Sequence, residues 1–471
     1  MKKTLTLLAA ICTTISSASA QTTYTHVECG TEFTIAVRSD STLWAWGFNA
    51  NGQLGTTAVP SSDTPKQVLS THKWIFAATG ATHTMGIAAD STLWGWGNNG
   101  NGQLGIGTYN FITAATQVSA TQHWRFVSAG EAHTMPILND GSLWGAGFNY
   151  YAQLGTGDTV QHNSFVRIGT DNDWKTVAAG GVFTLAIKND GSLWGWGYNG
   201  DGELGTGTTD TVLAPRRIGT ANDWAMVSGG FEFSLAMKSD GTIWSTGFNG
   251  NGQLGIPATG FNDSVFTQIG SATDWKSIAA GSSFGMGIKT NGTLWGWGYN
   301  AEGQLGTTSS SSVAVSQIGT ETDWQYISAA DGLGTTSGVF GLHSAGFKTA
   351  AYGICTAGAD YEGQLGNGTT IAAPGGQDFF DCSVAAVAPA GIATVAGTSH
   401  DITLYPNPAS TEITIDAAQP ITDVAISNTL GQTVLNQQYS SKTVSINIAT
   451  LPVGVYFVKI NGADTRRFVK E

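Results

Sequence analysis

The residues that could carry acid–base, nucleophilic or metal chemistry are scattered along this chain and match no known catalytic pattern. No two histidines follow the HExxH spacing of a zinc site, and no two cysteines follow CxxC. The histidines are His26, His72, His83, His123, His133, His162, His343 and His400. Ser283 stands in a GxSxG sequence, but a nucleophile elbow joins a strand to a helix, and Ser283 lies between two predicted strands. We therefore predict no catalytic residue, no metal site and no cofactor.

Two of these histidines occupy one position of a repeat. His83 and His133 stand where other repeats have Phe183, Phe233 and Phe284. A position that is otherwise phenylalanine predicts a packed, hydrogen-bonded histidine rather than a metal ligand. Paired carboxylates could still meet across a ring-shaped fold and act as general acid and base, which keeps an enzyme among the alternatives.

The chain is organised by one stretch that occurs seven times, with variations. Its clearest copy is LWGWGYNAEGQLG at residues 294–306, a short aromatic strand followed by a tight GQLG corner. The corner leucines are Leu54, Leu104, Leu154, Leu204, Leu254, Leu305 and Leu365. They lie about 50 residues apart, except for a longer last interval. A period in this range is typical of repeat architectures.

Each repeat carries the patterns of four strands. It opens at an aromatic residue, and a second, alternating strand such as FTLAIK at residues 183–188 ends in an Asp-Gly hairpin turn. The LWGWG strand, the GQLG corner and a fourth strand follow. Four strands in each of seven units predict an all-β, seven-bladed β-propeller over residues 21–382. Because few residues precede Tyr24, we expect the strand at residues 377–382 to complete the first blade and close the ring.

The tryptophans predict how the blades pack. All 16 fall inside the repeats, at the blade openings or in the LWxWG strand. Regular recurrence at one structural position favours burial between blades over a set of exposed binding platforms. The seventh repeat lacks the tryptophan pair and carries about ten additional residues after Asp331. That longer loop is either functional or part of the ring closure.

The two ends of the chain have other roles. Residues 1–20 combine Lys2 and Lys3, an apolar run and an Ala-x-Ala site, which predicts a cleaved secretory signal peptide. No later stretch has the ~20 apolar residues needed to cross a bilayer. Residues 383–400 are small and nearly uncharged, as in a flexible linker. Residues 401–471 show seven short alternating strand patterns, which predict a small Ig-like β-sandwich.

The charge of the chain excludes one class of partner. The net charge is -13, and nearly all of the excess acid lies in residues 21–400. Affinity for nucleic acids depends on Lys and Arg that neutralise phosphates. We therefore predict no DNA or RNA partner, and we expect a monomer.

Three cysteines remain once the signal peptide, which contains Cys12, is removed. Cys355 follows the hairpin turn of the seventh repeat, and Cys382 falls at the same end of the following strand. An exported protein permits disulfides. Our hypothesis is that Cys355 pairs with Cys382 near the ring closure and leaves Cys29 free. The alternative is three buried thiols.

Residues 24–382 resemble the regulator of chromosome condensation family, whose repeats carry an LWxWGxNxxGQLG-like pattern. Four repeats keep LWxWG, whereas the third reads LWGAG, the fifth IWSTG and the seventh ICTAG. The resemblance implies a seven-bladed propeller and no single activity. The eukaryotic founder is a nuclear guanine-nucleotide exchange factor, a role that does not suit an exported acidic protein. Similar secreted bacterial propellers include a β-lactamase inhibitor protein that binds its target with one face of the ring, but none of its contact residues transfers to this sequence.

Residues 401–471 resemble the type A sorting domain of the type IX secretion system. The matching residues include Pro406, Asn407, Pro408, Gly431, Gly454, Tyr456 and Lys470. The resemblance implies that the secretion machinery recognises this domain and moves the protein from the periplasm across the outer membrane of a Bacteroidetes-type bacterium. Such domains are usually clipped off. We therefore expect a secreted or surface-attached protein.

The combined prediction is a binding protein. The loops after the GQLG corners differ between repeats and carry aromatic residues that we expect to be exposed: Tyr109, Phe111, Tyr150, Tyr151, His162, Phe165 and Phe261. Aromatic side chains on a rigid rim can anchor a protein partner. The alternatives are a carbohydrate-binding propeller with several equivalent sites, a structural surface protein and, last, a hydrolase or lyase.

Overall fold

The computed structural model describes residues 23–56, 60–119, 122–257, 260–308, 310–332, 341–349, 353–370, 376–384, 402–405, 409–428, 433–461 and 464–470. The predicted signal peptide and nearly all of the predicted linker lie outside these ranges. Within the ranges, no helix is long and apolar enough to cross a membrane. The chain divides into two compact units, Met1–Val387 and Ala388–Glu471.

The first unit contains seven four-stranded antiparallel sheets. In chain order they are β1 (Tyr24–Cys29), β2 (Phe33–Arg38), β3 (Leu43–Phe48) and β4 (Ser61–Val68); β5 (Trp74–Thr79), β6 (His83–Ala88), β7 (Leu93–Gly97) and β8 (Ile112–Ser119); β9 (Trp124–Ala129), β10 (His133–Leu138), β11 (Trp144–Gly147) and β12 (His162–Arg167); β13 (Trp174–Ala179), β14 (Phe183–Lys188), β15 (Leu193–Gly197) and β16 (Val212–Arg217); β17 (Trp224–Gly229), β18 (Phe233–Lys238), β19 (Ile243–Phe248) and β20 (Asn262–Gln268); β21 (Trp275–Ala280), β22 (Phe284–Lys289), β23 (Leu294–Asn300) and β24 (Ser310–Ile318); β25 (Trp324–Ala329), β26 (His343–Lys348), β27 (Ile354–Gly358) and β28 (Gln377–Val384).

The first strand of every sheet lines a central cavity of about 210 Å³, and the remaining three strands follow outward in chain order. The prediction of a seven-bladed β-propeller is confirmed.

Because the strands are antiparallel, the propeller has two ends. The turn face consists of the hairpins between second and third strands and the connections between blades. The corner face consists of the described residues within 30–32, 49–60, 80–82, 98–111, 130–132, 148–161, 180–182, 198–211, 230–232, 249–261, 281–283, 301–309, 330–342 and 359–376.

The hairpins of the turn face are held by side-chain hydrogen bonds. Asp190 Oδ1 accepts the backbone N–H of Ser192 at 2.9 Å and its hydroxyl at 2.6 Å, and Ser192 Oγ accepts Trp194 Nε1 at 2.9 Å. Five other blades repeat this arrangement: Asp40, Thr42 and Trp44; Asp90, Thr92 and Trp94; Asp140, Ser142 and Trp144; Asp240, Thr242 and Trp244; Asn291, Thr293 and Trp295. The Asp or Asn thus fixes the turn and orients the first tryptophan of the next strand.

The GQLG corners are held partly by their own blade and partly by the next one. Within the fourth blade, Asn199 Oδ1 accepts the backbone N–H of Leu204 at 2.9 Å. Between the first and second blades, Trp96 Nε1 donates to the backbone carbonyl of Gln53 at 2.9 Å. Equivalent bonds run from Trp46 to Gln364, from Trp196 to Gln153 and from Trp297 to Gln253. These four indoles are fully buried, so the predicted burial of tryptophan between blades is confirmed for them.

The predicted ring closure is wrong. The strand at residues 377–382 belongs to β28, which pairs with β27 of the seventh blade, whereas β4 completes the first blade. The physical reason is that Tyr24 begins an innermost strand and Val68 ends an outermost one, so each repeat already contains a complete sheet. Contacts outside the sheets close the seam instead, including a backbone bond from Gly368 N–H to the carbonyl of Asp63 at 2.9 Å. Thr31 Oγ1 donates to the carbonyl of Asp331 at 2.7 Å, and Ser328 Oγ accepts the backbone N–H of Cys29 at 3.1 Å.

A disulfide joins Cys355 on β27 to Cys382 on β28, with an S–S distance of 2.08 Å. The third cysteine, Cys29, is buried and unpaired. Because both bonded cysteines belong to the seventh blade, the bond fastens the outermost strand of that blade and not the seam between the first and seventh blades.

Removing the disulfide is expected to lower the free energy of unfolding by about 3 kcal/mol, because the unfolded chain gains the freedom of a loop closed over a sequence separation of 27 residues. The measurement is urea unfolding of Cys355→Ser/Cys382→Ser and of the unaltered protein, each with and without reductant. Reductant should destabilise only the unaltered protein. Titration of the unfolded, unreduced mature chain should find one thiol, and three thiols would contradict the pairing.

The second unit is all-β but has fewer strands than predicted. It comprises β29 (Ile402–Tyr405), β30 (Glu412–Asn428), β31 (Thr433–Asn447), β32 (Gly454–Ile460) and β33 (Asp464–Lys470). The predicted division into seven short strands is wrong because β30 and β31 each continue through a register irregularity that the sequence pattern suggests as a break. Both halves of β30 contribute to one core, with Ile413 and Ile415 from the first half and Val424 and Ile426 from the second.

A candidate protein-binding face on the propeller

The buried histidines connect blades and are not arranged for catalysis. His83 Nε2 lies 2.9 Å from Thr134 Oγ1 of the next blade, and Thr134 donates its hydroxyl back to the carbonyl of Gln103 at 2.7 Å. Since the hydroxyl is the donor to Gln103, His83 must carry its proton on Nε2. His133 repeats this chain with Thr184 and Gln153, and His343 repeats it with Thr34 and Gln364.

Burial lowers the pKa of His83, His133 and His343 to about 3. All three are fully buried, and their Nδ1 atoms have no hydrogen-bond partner among the described residues. A second proton on these rings would therefore place a charge in a desolvated site. The structural role predicted for His83 and His133 agrees with this geometry, and His343 has the same role.

Ser283 and Glu28 also have structural positions. Ser283 lies in the turn between β21 and β22, so its GxSxG sequence forms no strand-to-helix elbow. In the central cavity, Glu28 accepts hydrogen bonds from Tyr326 Oη at 2.8 Å and from Ser328 Oγ at 2.9 Å, which link the first and seventh blades. Across the described ranges, no group of three His, Cys, Asp or Glu side chains is placed to hold a metal ion.

The fold separates charge between the two ends of the propeller. Every Lys and Arg of the propeller lies on a strand or on the turn face: Arg38, Lys66, Lys73, Arg125, Arg167, Lys175, Lys188, Arg216, Arg217, Lys238, Lys276, Lys289 and Lys348. The corner face has no Lys or Arg, and its ionisable Asp and Glu residues are Glu32, Glu131, Asp158, Asp201, Glu203, Asp210, Glu232, Glu302, Asp331, Asp360 and Glu362. Burial raises the pKa of Glu203 and Asp331, so the other residues of this set supply most of the negative charge. The corner face is therefore strongly negative, whereas the turn face mixes both signs.

On the turn face, four lysines are matched by anions and by tryptophan rings. Lys188 Nζ lies 2.6 Å from Asp171 and 3.1 Å from Asp173, and 4.9 and 4.6 Å from the ring centroids of Trp174 and Trp194. Lys238, Lys289 and Lys348 form similar contacts in their own blades. These four lysines are thus part of the structure of the turn face.

The corner face also carries a cluster of aromatic rings, named here the aromatic cluster: Phe148, Tyr150, Tyr151 and Tyr198. Tyr150 stacks on Phe148 with ring centroids 6.4 Å apart, and Tyr151 meets Tyr198 of the next blade edge-on at 5.3 Å. Tyr150 is 68% exposed and Tyr151 37% exposed. Two of the residues predicted as partner-binding are therefore brought together, and they are joined by two that the sequence analysis did not name.

Carboxylates flank the aromatic cluster on both sides. On one side, Phe148 and Glu131 line the same pocket. On the other, burial raises the pKa of Tyr198, and the negative charges of Asp201, Glu203 and Glu232 raise it further. The cluster therefore presents aromatic surface within a negative field.

The other predicted contact residues do not join this cluster. Tyr109, Phe111 and Phe261 are exposed in the loops of the second and fifth blades, but among the described rings they contact none of the cluster. His162 is half-buried at the start of β12.

Phe165 is not an exposed loop residue, which corrects the prediction of its exposure. Its ring lies 5.6 Å from that of Trp124, and it packs into the hydrophobic core beside Gly105 of the second blade. Phe266 and Phe380 occupy the same place in other blades, against Trp224 and Trp324. Recurrence at this position identifies Phe165 as core.

The comparisons with known proteins identify both units. Models of the Regulator of chromosome condensation (RCC1) repeat match residues 40–87, 90–137, 140–187 and 190–237, and, in a second version, 24–53, 75–103, 174–203, 227–253 and 275–304. Together these matches span more than half of the chain. The chain belongs to the regulator of chromosome condensation repeat family. No curated protein matches the chain at a significant level.

Solved structures show the same fold for this regulator of chromosome condensation repeat propeller. Human WBSCR16 is 21% identical with a TM-score of 0.59, and the match covers 65% of this chain and 85% of that chain. Prp20p from Saccharomyces cerevisiae, a protein with binding properties to Gsp1p and histones, is 16% identical with a TM-score of 0.63, and the match covers 81% of this chain and 90% of that chain. Yeast RCC1 (Prp20), in a complex with Kap60, is 16% identical with a TM-score of 0.62, and the match covers 85% of this chain and 93% of that chain. At these identities the likeness concerns the fold alone.

A Secretion system C-terminal sorting domain matches residues 403–471, so the second unit is a sorting domain and the protein is exported through the type IX system to the cell surface or the medium. Of the predicted sorting residues, Gly454 begins β32, Tyr456 packs against Phe468 with ring centroids 5.5 Å apart, and Lys470 ends β33. Pro406, Asn407, Pro408 and Gly431 lie outside the described residues.

Proposed function

We propose that the exported propeller is a binding protein that holds a protein partner on its corner face. The observation that supports this function is the aromatic cluster, in which rings from two adjacent blades contact one another and remain partly or mostly exposed. Aromatic rings on a rigid surface bury a large area with little loss of side-chain entropy, and they are enriched among the residues that dominate binding energy.

The asymmetry of the cluster favours a protein partner over a glycan. The residue pairs equivalent to Tyr150 and Tyr151 are Ala50 and Asn51, Gly100 and Asn101, Gly200 and Asp201, Gly250 and Asn251, Ala301 and Glu302, and Tyr361 and Glu362. A lectin-like propeller with several equivalent sites would repeat the aromatic pair in most blades. Only the third blade has it, which suits one large contact.

Binding is proposed rather than catalysis because Glu28, His83 and His133, which could exchange protons, already serve the fold. Glu28 accepts hydrogen bonds across the seam, and His83 and His133 donate to threonines of neighbouring blades. A general acid or base must instead be free to reach a substrate atom within hydrogen-bonding distance.

The test is capture by the immobilised full-length mature chain from culture fluid and from lysates of neighbouring organisms, with mass spectrometry of the bound material. We expect one protein to be retained in stoichiometric amount. Tyr150→Ala/Tyr151→Ala should weaken its binding by about 30-fold or more, the loss expected for a hot spot of ~2 kcal/mol.

The matched control is Ile75→Ala, which removes an exposed apolar side chain from the opposite half of the propeller. This variant should bind the partner with unchanged affinity. Retention of polysaccharide, of nothing, or of the same protein with unchanged affinity by the double tyrosine variant would each contradict the proposed function.

A further inference from the structure

The corner face contains a second feature beside the aromatic cluster, a pocket of about 230 Å³. Its lining comes from three consecutive blades and consists of Asn101, Glu131, Ala132, Phe148, Gly181 and Val182. Phe148 belongs both to this pocket and to the aromatic cluster. A volume below the usual 300–1,000 Å³ of small-molecule sites suits a single long side chain of a partner.

Glu131 is the only charged group in the lining. It is partly buried, and burial raises the pKa of its carboxyl group. No hydrogen bond or ion pair from the described residues reaches this carboxyl group, in contrast to Glu28, which is satisfied from two sides. The pocket thus offers an anionic acceptor beside an aromatic ring.

We propose that this pocket receives an arginine side chain of the protein partner, with the guanidinium group paired to Glu131 and lying against Phe148. The proposal rests on the proposed function and names the chemistry of its partner, a protein that presents a basic residue at the centre of its contact surface. The charge of the surroundings agrees with it, because the corner face holds acidic residues and no Lys or Arg.

Arginine fits the lining better than lysine does. The guanidinium group is planar and weakly hydrated, so it can lie on an aromatic face and donate two hydrogen bonds to one carboxylate. The ammonium group of lysine is more strongly hydrated and loses more on entering a half-buried pocket. An arriving cation would also favour the ionised form of Glu131, which burial alone disfavours.

The test uses fluorescein-labelled hexa-arginine, hexa-lysine and hexa-citrulline as probes and fluorescence anisotropy with the full-length mature chain at low salt. Hexa-arginine should bind, hexa-lysine should bind several-fold more weakly, and the uncharged hexa-citrulline should not bind. Glu131→Gln should weaken hexa-arginine binding by tenfold or more.

The matched control is Glu412→Gln, which removes the same charge from an exposed position in the sorting domain and should change the affinity by less than twofold. If Glu131→Gln and Glu412→Gln bind hexa-arginine with equal affinity, the peptide is attracted by overall charge only, and the proposed arginine pocket is wrong. Equal affinities for hexa-arginine and hexa-lysine would overturn the preference for arginine.

The two proposals fail in different ways. If the captured partner depends on Tyr150 and Tyr151 but binds Glu131→Gln with full affinity, the proposed function stands and the arginine pocket is wrong. If hexa-arginine binding depends on Glu131 while the double tyrosine variant still binds its partner, the pocket stands and the proposed function is wrong.

Discussion

Replacing His83, His133 and His343 together with phenylalanine is expected to remove most of the stability loss that the unaltered protein shows between pH 6.5 and about pH 4. Burial lowers the pKa of each ring from 6.5 to about 3 in the folded protein. Between these values the unfolded chain binds a proton at each histidine and the folded chain does not. Stability is therefore fully present above pH 6.5 and is lost as the pH falls.

The expected size of the stability loss follows from the number of protons that the unfolded chain binds and the folded chain does not. Each histidine contributes a slope of about 1.4 kcal/mol per pH unit, so three contribute up to ~4 kcal/mol per pH unit. Phenylalanine is a suitable replacement because Phe33 already occupies the equivalent position in the first blade, and Thr84 keeps its hydrogen bond to the carbonyl of Gln53 beside it.

The measurement is urea unfolding of the unaltered protein and the triple variant at several pH values. The control is His123→Phe, at an exposed histidine, which should keep the full acid dependence. The same slope in the triple variant as in the unaltered protein would show that these histidines do not cause the loss.

Replacing Glu203 with glutamine is expected to stabilise the protein at alkaline pH and to change little near pH 4.5. Glu203 occupies the corner position that is glutamine in the other six blades, and it is fully buried, with Oε2 accepting the backbone N–H of Asp201 at 3.1 Å. Burial raises its pKa from 4.5 to about 8. The folded protein therefore keeps a proton that the unfolded chain loses.

Glu203 changes the stability with pH in the opposite direction to the histidines. Because the folded-state pKa is raised, this stabilising contribution is present below pH 4.5 and is lost as the pH rises toward 8. Glu203→Gln should raise the free energy of unfolding by about 4 kcal/mol at pH 8, the equivalent of roughly three pKa units. Together, the acid loss from histidine and the alkaline loss from Glu203 place maximal stability at mildly acidic pH.

The matched control is the reverse change, Gln153→Glu, at the same position of the third blade. It should destabilise the protein at pH 8 by a similar amount and leave it nearly unchanged at pH 4.5. Urea unfolding at both pH values gives the comparison. A Glu203→Gln variant with equal effects at pH 4.5 and pH 8 would rule out the retained proton as the cause.

The propeller could be predicted because its interactions repeat in the sequence as they repeat in space. A leucine at each corner and a tryptophan on the third strand recur at one spacing, and each forms the same bond in several blades, as Trp96 does with Gln53 and Trp196 does with Gln153. Periodicity therefore predicted the sheets, the turns and the burial of tryptophan.

The seam could not be predicted in this way because it occurs once. Which strand completes the first blade depends on whether Tyr24 starts an innermost or an outermost strand, and the spacing of the repeats is the same in both cases. The repeat spacing did not identify His343 as a counterpart of His83, because the additional residues of the seventh repeat displace it from the regular interval.

The candidate site was predicted only in part, for a related reason. Tyr150 and Tyr151 stand out as a pair, but Phe148 and Tyr198 look like ordinary members of a repeated position until their rings are seen to touch those of the pair. Glu131 gives no signal in the sequence, because its significance depends on a carboxyl group that no hydrogen bond from the described residues reaches, in a pocket built by three blades.

The closure of the ring without strand exchange, with every sheet made from one repeat, has a consequence for how such a chain can change in evolution. One duplicated or deleted repeat adds or removes one whole sheet and leaves the strand pairings inside the other sheets unchanged. A ring closed by strand exchange would also require the shared sheet to be reassembled. Here one sequence repeat corresponds to one whole sheet, so duplication of a repeat adds a complete blade, and only the contacts and the angle between neighbouring blades must adjust.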